Sequence, residues 1–120
     1  MKKQSKFAFL RQEGQIGYYA TVILHVERQS IMEIQYGDSC DPSWESAARF
    51  GVSYALGQLA KTEGDVAFRI VIEKVLGHEI DTTDVIVAYA AAHALWDAIE
   101  SKSEFPIAFH AEHGTFVFPR

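Results

Sequence analysis

The sequence has one cysteine, no long apolar run and no excess of basic residues, and each scarcity excludes a class of protein. The lone Cys40 cannot form an internal disulfide, which agrees with a reducing compartment. No apolar run is long enough to span a bilayer, so we expect no membrane partner. The N-terminus lacks the sustained apolar segment and cleavage site of a signal peptide. We therefore expect a cytoplasmic protein.

The charge balance disfavours one class of partner. The formal net charge is −5, from 11 basic and 16 acidic residues. The excess lies wholly in residues 61–120, which hold five basic and ten acidic residues. Tight nucleic-acid binding needs clustered lysine and arginine, so an acidic chain is a poor candidate for it. The length of 120 residues and the absence of repeats and low-complexity segments predict a single domain, 1–120, with its own core.

Strand patterns precede the first helix. Lysines at positions 2, 3 and 6 predict a frayed start. Residues 7–10 predict a short first strand, and residues 11–17, which contain two glycines, predict a loop. Residues 18–27 are rich in β-branched and aromatic residues and predict a strand. Residues 31–36 follow a tight connection and predict a return strand. The core face predicted for the long strand consists of Ala20, Val22, Leu24 and Val26.

The first helix is predicted from about residue 42 to about residue 61. Asp41 can cap it, and Pro42 suits the first helical position because no N–H group is needed there. Gly51 inside the helix costs roughly 1 kcal/mol relative to alanine, which close packing against another helix would justify. The residues at helical spacing that define the buried face are Trp44, Ala47, Ala48, Gly51, Ala55 and Leu59.

Residues 65–76 predict a third long strand, and residues 77–99 (GHEIDTTDVIVAYAAAHALWDAI) turn from it into a second helix, about 82–101. Asp81 is the predicted N-cap, and Asp84 adds negative charge where the helix dipole favours it. The alanine-rich surface of this helix lets another backbone approach closely. Residues 105–119 predict a final strand or a short hairpin.

One stripe of the second helix changes character along its length. His93, Asp97 and Glu100 make it polar at the C-terminal end. Toward the N-terminus it continues as Tyr89 and Ile86, which are apolar. Either another part of the chain covers these two side chains, or they form a contact patch.

The predicted order β, β, β, α, β, α, β has too few helices to cover both faces of a sheet. We therefore predict an α+β fold: a two-layer sandwich with a mostly antiparallel sheet of four to five strands and both helices on one face.

Several polar residues invite functional interpretations. His110, Glu112 and His113 could ligate zinc only if a turn gathered them, and a polar hairpin turn is the simpler interpretation. His25 and Glu27 share a strand face and form either an acid–base pair or an exposed polar surface.

His93 and Asp97 stand four residues apart, which predicts a surface pair. Cys40 precedes a helix start, which can lower a thiol pKa. A buried, unreactive cysteine is the alternative, because no neighbouring histidine in the sequence can serve as base. No phosphate-binding loop or catalytic triad is visible, so we expect no enzyme, no metal and no cofactor.

The residues of both helices resemble domain IV of the translational GTPase elongation factor G. That family has a turn H-x-V-D-S-S followed by E-x-A-F-x-x-A-A-x-x-A-x-x-x-A. This sequence has His78-Glu79-Ile80-Asp81-Thr82-Thr83, then Asp84 and alanines 90, 91, 94 and 98 in the same register. The family pattern Y-x-x-A-V-x-x-G-I-x-x-A of the first helix corresponds to Trp44, Ala47, Ala48, Gly51, Val52 and Ala55. The glycine-rich family loop G-R-G-Q-Y-G-H-V resembles residues 13–18.

The resemblance covers about residues 11–100 and implies a ribosomal protein S5 domain 2-like fold with a left-handed βαβ crossover. It also implies a tip formed by residues 11–17 and 77–81, with a histidine at position 78. The binding residues that it implies are Arg11, Gln12, Gly14, Gln15, His78, Glu79 and Asp81.

The resemblance implies a non-catalytic, translation-related binding module, with the ribosome or ribosomal RNA as partner. The chain lacks G-x-x-x-x-G-K-[ST], so we expect no GTP binding. Glu13, Glu79, Asp81 and Asp84 make the predicted tip acidic, which argues against simple insertion into ribosomal RNA. The alternative is a homo-oligomeric protein–protein interaction domain, such as a homodimer, that reuses the fold without a link to translation.

Overall fold

The structure is a computed structural model that describes residues 2–13, 15–63, 67–77, 81–100, 107–110 and 115–119. Six strands and two α-helices succeed one another along these residues. Their order is β1 (Lys2–Glu13), β2 (Ile16–Arg28), β3 (Glu33–Tyr36), α1 (Glu45–Glu63), β4 (Phe68–Leu76), α2 (Asp84–Ala98), β5 (Ala108–His110) and β6 (Thr115–Val117).

Strands β1 and β2 form a long antiparallel hairpin, paired from Lys2 with Glu27 to Glu13 with Ile16. The predicted frayed start and the predicted first strand of residues 7–10 are therefore wrong, because β1 spans 12 residues. The predicted loop 11–17 is also largely strand. The long partner β2 offers a backbone ladder to every residue of β1, so pairing continues through the charged and polar residues at both ends.

The order of strands in the main sheet is β1-β2-β4-β3. Strand β4 pairs antiparallel with β2, and β3 pairs parallel with β4. The prediction that residues 31–36 return beside the long strand is therefore wrong. Strand β4 is buried at five positions and takes a central place, whereas no residue of β3 is buried and it remains at the edge.

The parallel pair β3–β4 is connected through α1, which provides a βαβ crossover. The left hand that the resemblance implies for it stays a prediction. Both helices contribute to one apolar core together with β2 and β4. The predicted core face of β2 is confirmed, because Ala20, Val22, Leu24 and Val26 are all buried. The predicted two-layer α+β fold is confirmed.

Helix α1 begins later than predicted, after a short 3-10 turn at Pro42–Trp44. The predicted cap Asp41 is confirmed, since its carboxylate accepts a hydrogen bond of 2.9 Å from the Ser43 N–H group. Close packing at Gly51 is also confirmed. A Cβ atom there would overlap the carbonyl group of Ala88 on α2, so the two helices can approach only with glycine at this position.

The C-terminal residues form the predicted hairpin, in which β5 and β6 make a separate two-stranded sheet. Its rings pack on β1 and α2: the Phe116 ring lies 4.9 Å from Tyr89, and the Phe109 ring lies 5.5 Å from Phe9. This hairpin and β1 cover the apolar stripe of α2, which resolves the open question about Tyr89. No helix in the described part of the chain is both long and apolar enough to cross a membrane.

Candidate functional site

The start of β2, next to the turn of the β1–β2 hairpin, and the segment before α2 meet at one end of the sheet. The backbone N–H of Tyr19 donates to the carbonyl of Asp81 at 2.9 Å. The hydroxyl of Thr82, which is only 5% exposed, donates to the carbonyl of Tyr19 at 2.7 Å. Two hydrogen bonds therefore attach this segment to the start of β2. We call this end of the molecule the tip.

The described tip residues predicted from the sequence are Arg11, Gln12, Gln15 and Asp81. Arg11 and Gln12 lie in β1 opposite Tyr18 and Gly17, and Gln15 lies in the exposed turn. The Asp81 carboxylate adjoins Gly17, where an added Cβ would come within 2.8 Å of Oδ2. The structure thus brings both predicted segments together. Gly14, His78 and Glu79 lie outside the described residues.

The prediction that Asp81 caps the second helix is wrong. Helix α2 begins at Asp84, and the N-cap is Thr83, whose hydroxyl accepts from the Ile86 N–H group at 3.4 Å. The backbone carbonyl of Asp81 is instead paired with Tyr19. This pairing holds residue 81 in the turn before the helix, so its carboxylate faces the hairpin rather than the first helical turn.

A cleft of about 390 Å³ opens at the tip between β2, the start of α2 and the C-terminal hairpin. Its described lining is mostly apolar, with hydroxyl groups from Thr83 and Thr115 and one carboxylate, from the half-buried Asp81. That carboxylate makes no ion pair or side-chain hydrogen bond with the described residues. The lining residues are Ile16, Gly17, Tyr18, Asp81, Thr83, Val85, Ile86, Thr115 and Phe116. The cleft can bind a cation or a hydrogen-bond donor.

Arg11 lies in β1 opposite Tyr18, which lines the cleft, and its side chain reaches the C-terminal hairpin. Its guanidinium carbon lies 5.1 Å from the centre of the Phe109 ring, a cation–π distance. Burial raises the pKa of the neighbouring Tyr89, and the charge of Arg11 opposes that rise in pKa. The predicted contact residue Arg11 is therefore already engaged with aromatic rings of its own chain.

His93 is not the surface residue that helical spacing predicts. Its ring stacks on Phe7 at 5.0 Å and lies 4.5 Å from Tyr89, and Nε2 is buried without a partner among the described residues. Burial lowers the pKa of His93, while the Asp97 charge and the Ile107 backbone raise that pKa. Sequence reasoning missed this burial because Phe7 of β1 and the backbone of Ile107, both distant in sequence, contact the histidine.

His25 has a different partner from the one predicted. Its Nδ1 donates to Glu73 Oε1 at 2.7 Å, and the side-chain amide of Gln4 donates to the other oxygen of Glu73 at 2.7 Å. The predicted partner Glu27 lies further along the same strand. The register shift between Ile23 and Leu24 leaves Glu73 without a partner in the strand pairing, and its carboxylate contacts His25, whose own backbone partner is Val71. No pattern within one strand reveals such a shift.

Two further candidates lie away from the tip. Cys40 is 6% exposed, and burial, followed by the charges of Glu45 and Asp41, raises the pKa of its thiol. The unreactive interpretation of Cys40 therefore fits the structure, and an activated thiolate does not. His110 is exposed on β5, while Glu112 and His113 lie outside the described residues.

No protein-family model and no curated protein matches this sequence. Among solved structures, a protein of Thermus thermophilus is similar, with a TM-score of 0.68 and 21% identity. The match covers 83% of this chain and 16% of that chain, so this chain spans about a sixth of the other protein's length. At this identity the likeness shows a shared fold.

A Streptococcus pneumoniae phosphomevalonate kinase, in complex with phosphomevalonate and AMPPNP, is also similar. It aligns at 14% identity and a TM-score of 0.39, over 87% of this chain and 38% of its own. A score this low carries no argument about fold or activity.

Proposed function

We propose that this chain is a non-catalytic binding module of the kind that domain IV of elongation factor G represents, and that the tip is its contact surface. The observation that carries the proposal is the attachment of the segment around Asp81 to the start of β2. The two segments that resemble the family's tip loops are distant in sequence, and this attachment makes them one surface.

The chemistry of the tip cleft fits binding better than catalysis. The titratable side chains among its described lining residues are those of Asp81 and Tyr18. A general base needs a reacting group or a nucleophile within hydrogen-bond reach, and the Asp81 carboxylate has no side-chain hydrogen-bond partner among the described residues. Its apolar walls and hydroxyl groups suit recognition of a partner's side chains.

The proposed partner is the ribosome, by resemblance. The acidic balance of residues 61–120 makes a ribosomal protein surface a better contact than bare ribosomal RNA, because phosphates would be repelled. Arg11 provides a positive charge near the tip, and its guanidinium group lies over the Phe109 ring.

The test is co-sedimentation of the purified protein with ribosomes and free subunits on sucrose gradients, across a salt series. We expect binding at low salt that falls at least threefold in the tip variants Arg11→Gln, Asp81→Asn and His78→Ala. The Asp81→Asn change spares the backbone carbonyl that attaches the segment to β2. Arg28→Gln is the matched control, because Arg28 is exposed at the opposite end of the same sheet.

Absence of binding at low salt, or equal losses for Arg28→Gln and Arg11→Gln, would remove the support for a ribosomal function of the tip. Far-UV circular dichroism of each variant would establish that the fold is intact.

A homo-oligomer is a second candidate, favoured by the long edge strand β1. Strand β1 lies at the edge of the sheet over 12 residues, and a long edge strand can pair with a second copy. Sedimentation velocity over a concentration series tests this: we expect a dimer that weakens with Leu10→Lys, because Leu10 is 79% exposed on β1. A monomer at every concentration contradicts it.

A further inference from the structure

A second, larger cavity lies between the N-terminal halves of α1 and α2. Its volume is about 560 Å³, within the usual range of ligand and peptide anchor sites. Small residues, Ala47 and Ala88, are buried at its floor. The lining residues are Ser46, Ala47, Phe50, Tyr54, Asp84, Val85, Ala88 and Phe118.

Large apolar side chains stand exposed around this cavity. Phe50 is 58% exposed and Val85 is 46% exposed. Val85 also lines the tip cleft, where Ile16 is 59% exposed. The two cavities therefore share a wall, and we call them together the helix groove. Exposed apolar side chains around a concave surface are typical of a protein interaction site.

The charge of the helix groove has one sign. Asp84 lines the larger cavity and Asp81 lines the tip cleft. No lysine, arginine or histidine is among the described residues that line either cavity, and neither carboxylate forms an ion pair in the described ranges. A complementary occupant carries both apolar and basic groups.

We propose that the helix groove binds an amphipathic, basic segment of a partner protein. An apolar side chain of that segment would pack between Phe50 and Val85, and a lysine or arginine would reach Asp84 or Asp81. This inference rests on the proposed function as a binding module and names the chemistry of its partner. Helix-in-groove recognition commonly combines apolar anchors with flanking charges in this way.

Other occupants fit less well. The phosphates of RNA would meet carboxylates, with no basic side chain in the described lining to neutralise them. Residues 2–10 combine basic and apolar residues and are held in β1, and residues 68–76, which also combine them, are held in β4. A second copy therefore cannot offer either segment without dismantling the sheet.

The first test is selection of random 12-residue peptides displayed on phage against the immobilised wild-type protein. Peptides that also bind the Phe50→Ser variant are removed, because that variant lacks the aromatic wall. We expect the enriched sequences to combine large apolar residues with lysine or arginine. Enrichment of neutral or acidic peptides, or no enrichment that depends on Phe50, would overturn the proposal.

The second test is fluorescence anisotropy with a labelled synthetic peptide of the most enriched sequence. We expect Phe50→Ser to weaken binding at least tenfold and Asp84→Asn at least threefold, and added salt to weaken it further. Ile31→Ser and Glu33→Gln are matched controls, because both residues are exposed outside the groove. They should change the affinity by less than twofold.

Equal effects of Ile31→Ser and Phe50→Ser would overturn the proposal. The proposal would also be overturned if a 12-nucleotide RNA bound more tightly than the selected peptide in a way that depends on Phe50. Self-association that depends on Phe50 would overturn it too. Ribosome co-sedimentation is measured in parallel on Phe50→Ser. Peptide binding that depends on the groove, without ribosome binding, would reject the ribosomal function and retain this inference. Ribosome binding without peptide binding that depends on the groove would reject only this inference.

Discussion

His93 is a titratable side chain enclosed by the rings of Phe7 and Tyr89. Burial lowers its pKa below the ordinary value of 6.5, against the opposing effect of Asp97. The unfolded chain therefore takes up a proton at His93 first as the pH falls. The stability that His93 contributes is complete above pH 6.5, is lost as the pH falls toward the lowered pKa, and changes no further below it.

We therefore predict that the wild-type free energy of unfolding falls more between pH 7.5 and pH 5.0 than that of His93→Phe. Urea unfolding at a series of pH values measures the difference. The control is His110→Gln, since His110 is exposed on β5. The same pH dependence in wild type and His93→Phe would show that folding does not lower the pKa of His93.

The burial and the contacts of some residues could be predicted from the sequence, and those of others could not. The core face from Ala20 to Val26 and the capping role of Asp41 follow from local periodicity and local hydrogen bonding, and both predictions are confirmed. The His25–Glu73 pair joins residues 48 positions apart across a register shift. Such pairs depend on how strands align, and local pattern carries no information about that alignment.

The contact between α1 and α2 gives a prediction at the scale of elements. A Cβ at Gly51 would overlap the Ala88 carbonyl, so Gly51→Ala must push the helices apart. We expect it to lower the free energy of unfolding by about 1–3 kcal/mol, the usual cost of overpacking. Gly57 in the same helix is exposed, with open space around it.

Gly57→Ala is accordingly the matched control. It adds the same methyl group to the same helix and should stabilise the protein by roughly 0.5–1 kcal/mol through helix propensity alone. Urea unfolding of both variants distinguishes packing from propensity. If Gly51→Ala stabilised the protein as Gly57→Ala does, the close approach of the helices would not constrain the fold.

The helices and strands themselves were easier to predict than the order in which the strands lie in the sheet. Both helices and the long strand follow from hydrophobic period, although α2 is capped by Thr83 and not by the predicted Asp81. Strand β3 was expected beside β2 and lies beside β4 instead. Proximity in sequence favours a hairpin, yet the more buried strand β4 occupies the central position. The order of strands in the sheet depends on which strands bury the most apolar surface. The sequence of a single strand does not reveal the outcome of that competition.

At the scale of the whole molecule, the C-terminal hairpin belongs to neither layer. The strands β5 and β6 pair only with each other in the described structure, and Phe109 and Phe116 hold the hairpin against β1 and α2. Further along, the carbonyl of Pro119 accepts a hydrogen bond of 2.9 Å from Gln58 on α1. Side-chain contacts thus replace a continuous ladder, which predicts that the hairpin can open without global unfolding.

The double variant Phe109→Ala and Phe116→Ala tests this prediction. By native-state hydrogen exchange, we expect amides of β5 and β6 to exchange at least tenfold faster while those of β2 and β4 keep their protection. Val117→Ala is the control, because Val117 lies on the same hairpin and is 46% exposed. Equal loss of protection in β2 and β6 would show instead that hairpin and sheet unfold as one unit.

The same opening bears on binding, because Thr115 and Phe116 form one wall of the tip cleft. A hairpin that opens independently removes that wall without disturbing the attachment of the Asp81 segment to β2. The double variant should therefore weaken binding of the selected peptide while the protection of the Tyr19 amide stays unchanged. Unchanged peptide affinity would place the binding energy on the α1–α2 part of the helix groove, at Phe50 and Val85, rather than at the tip.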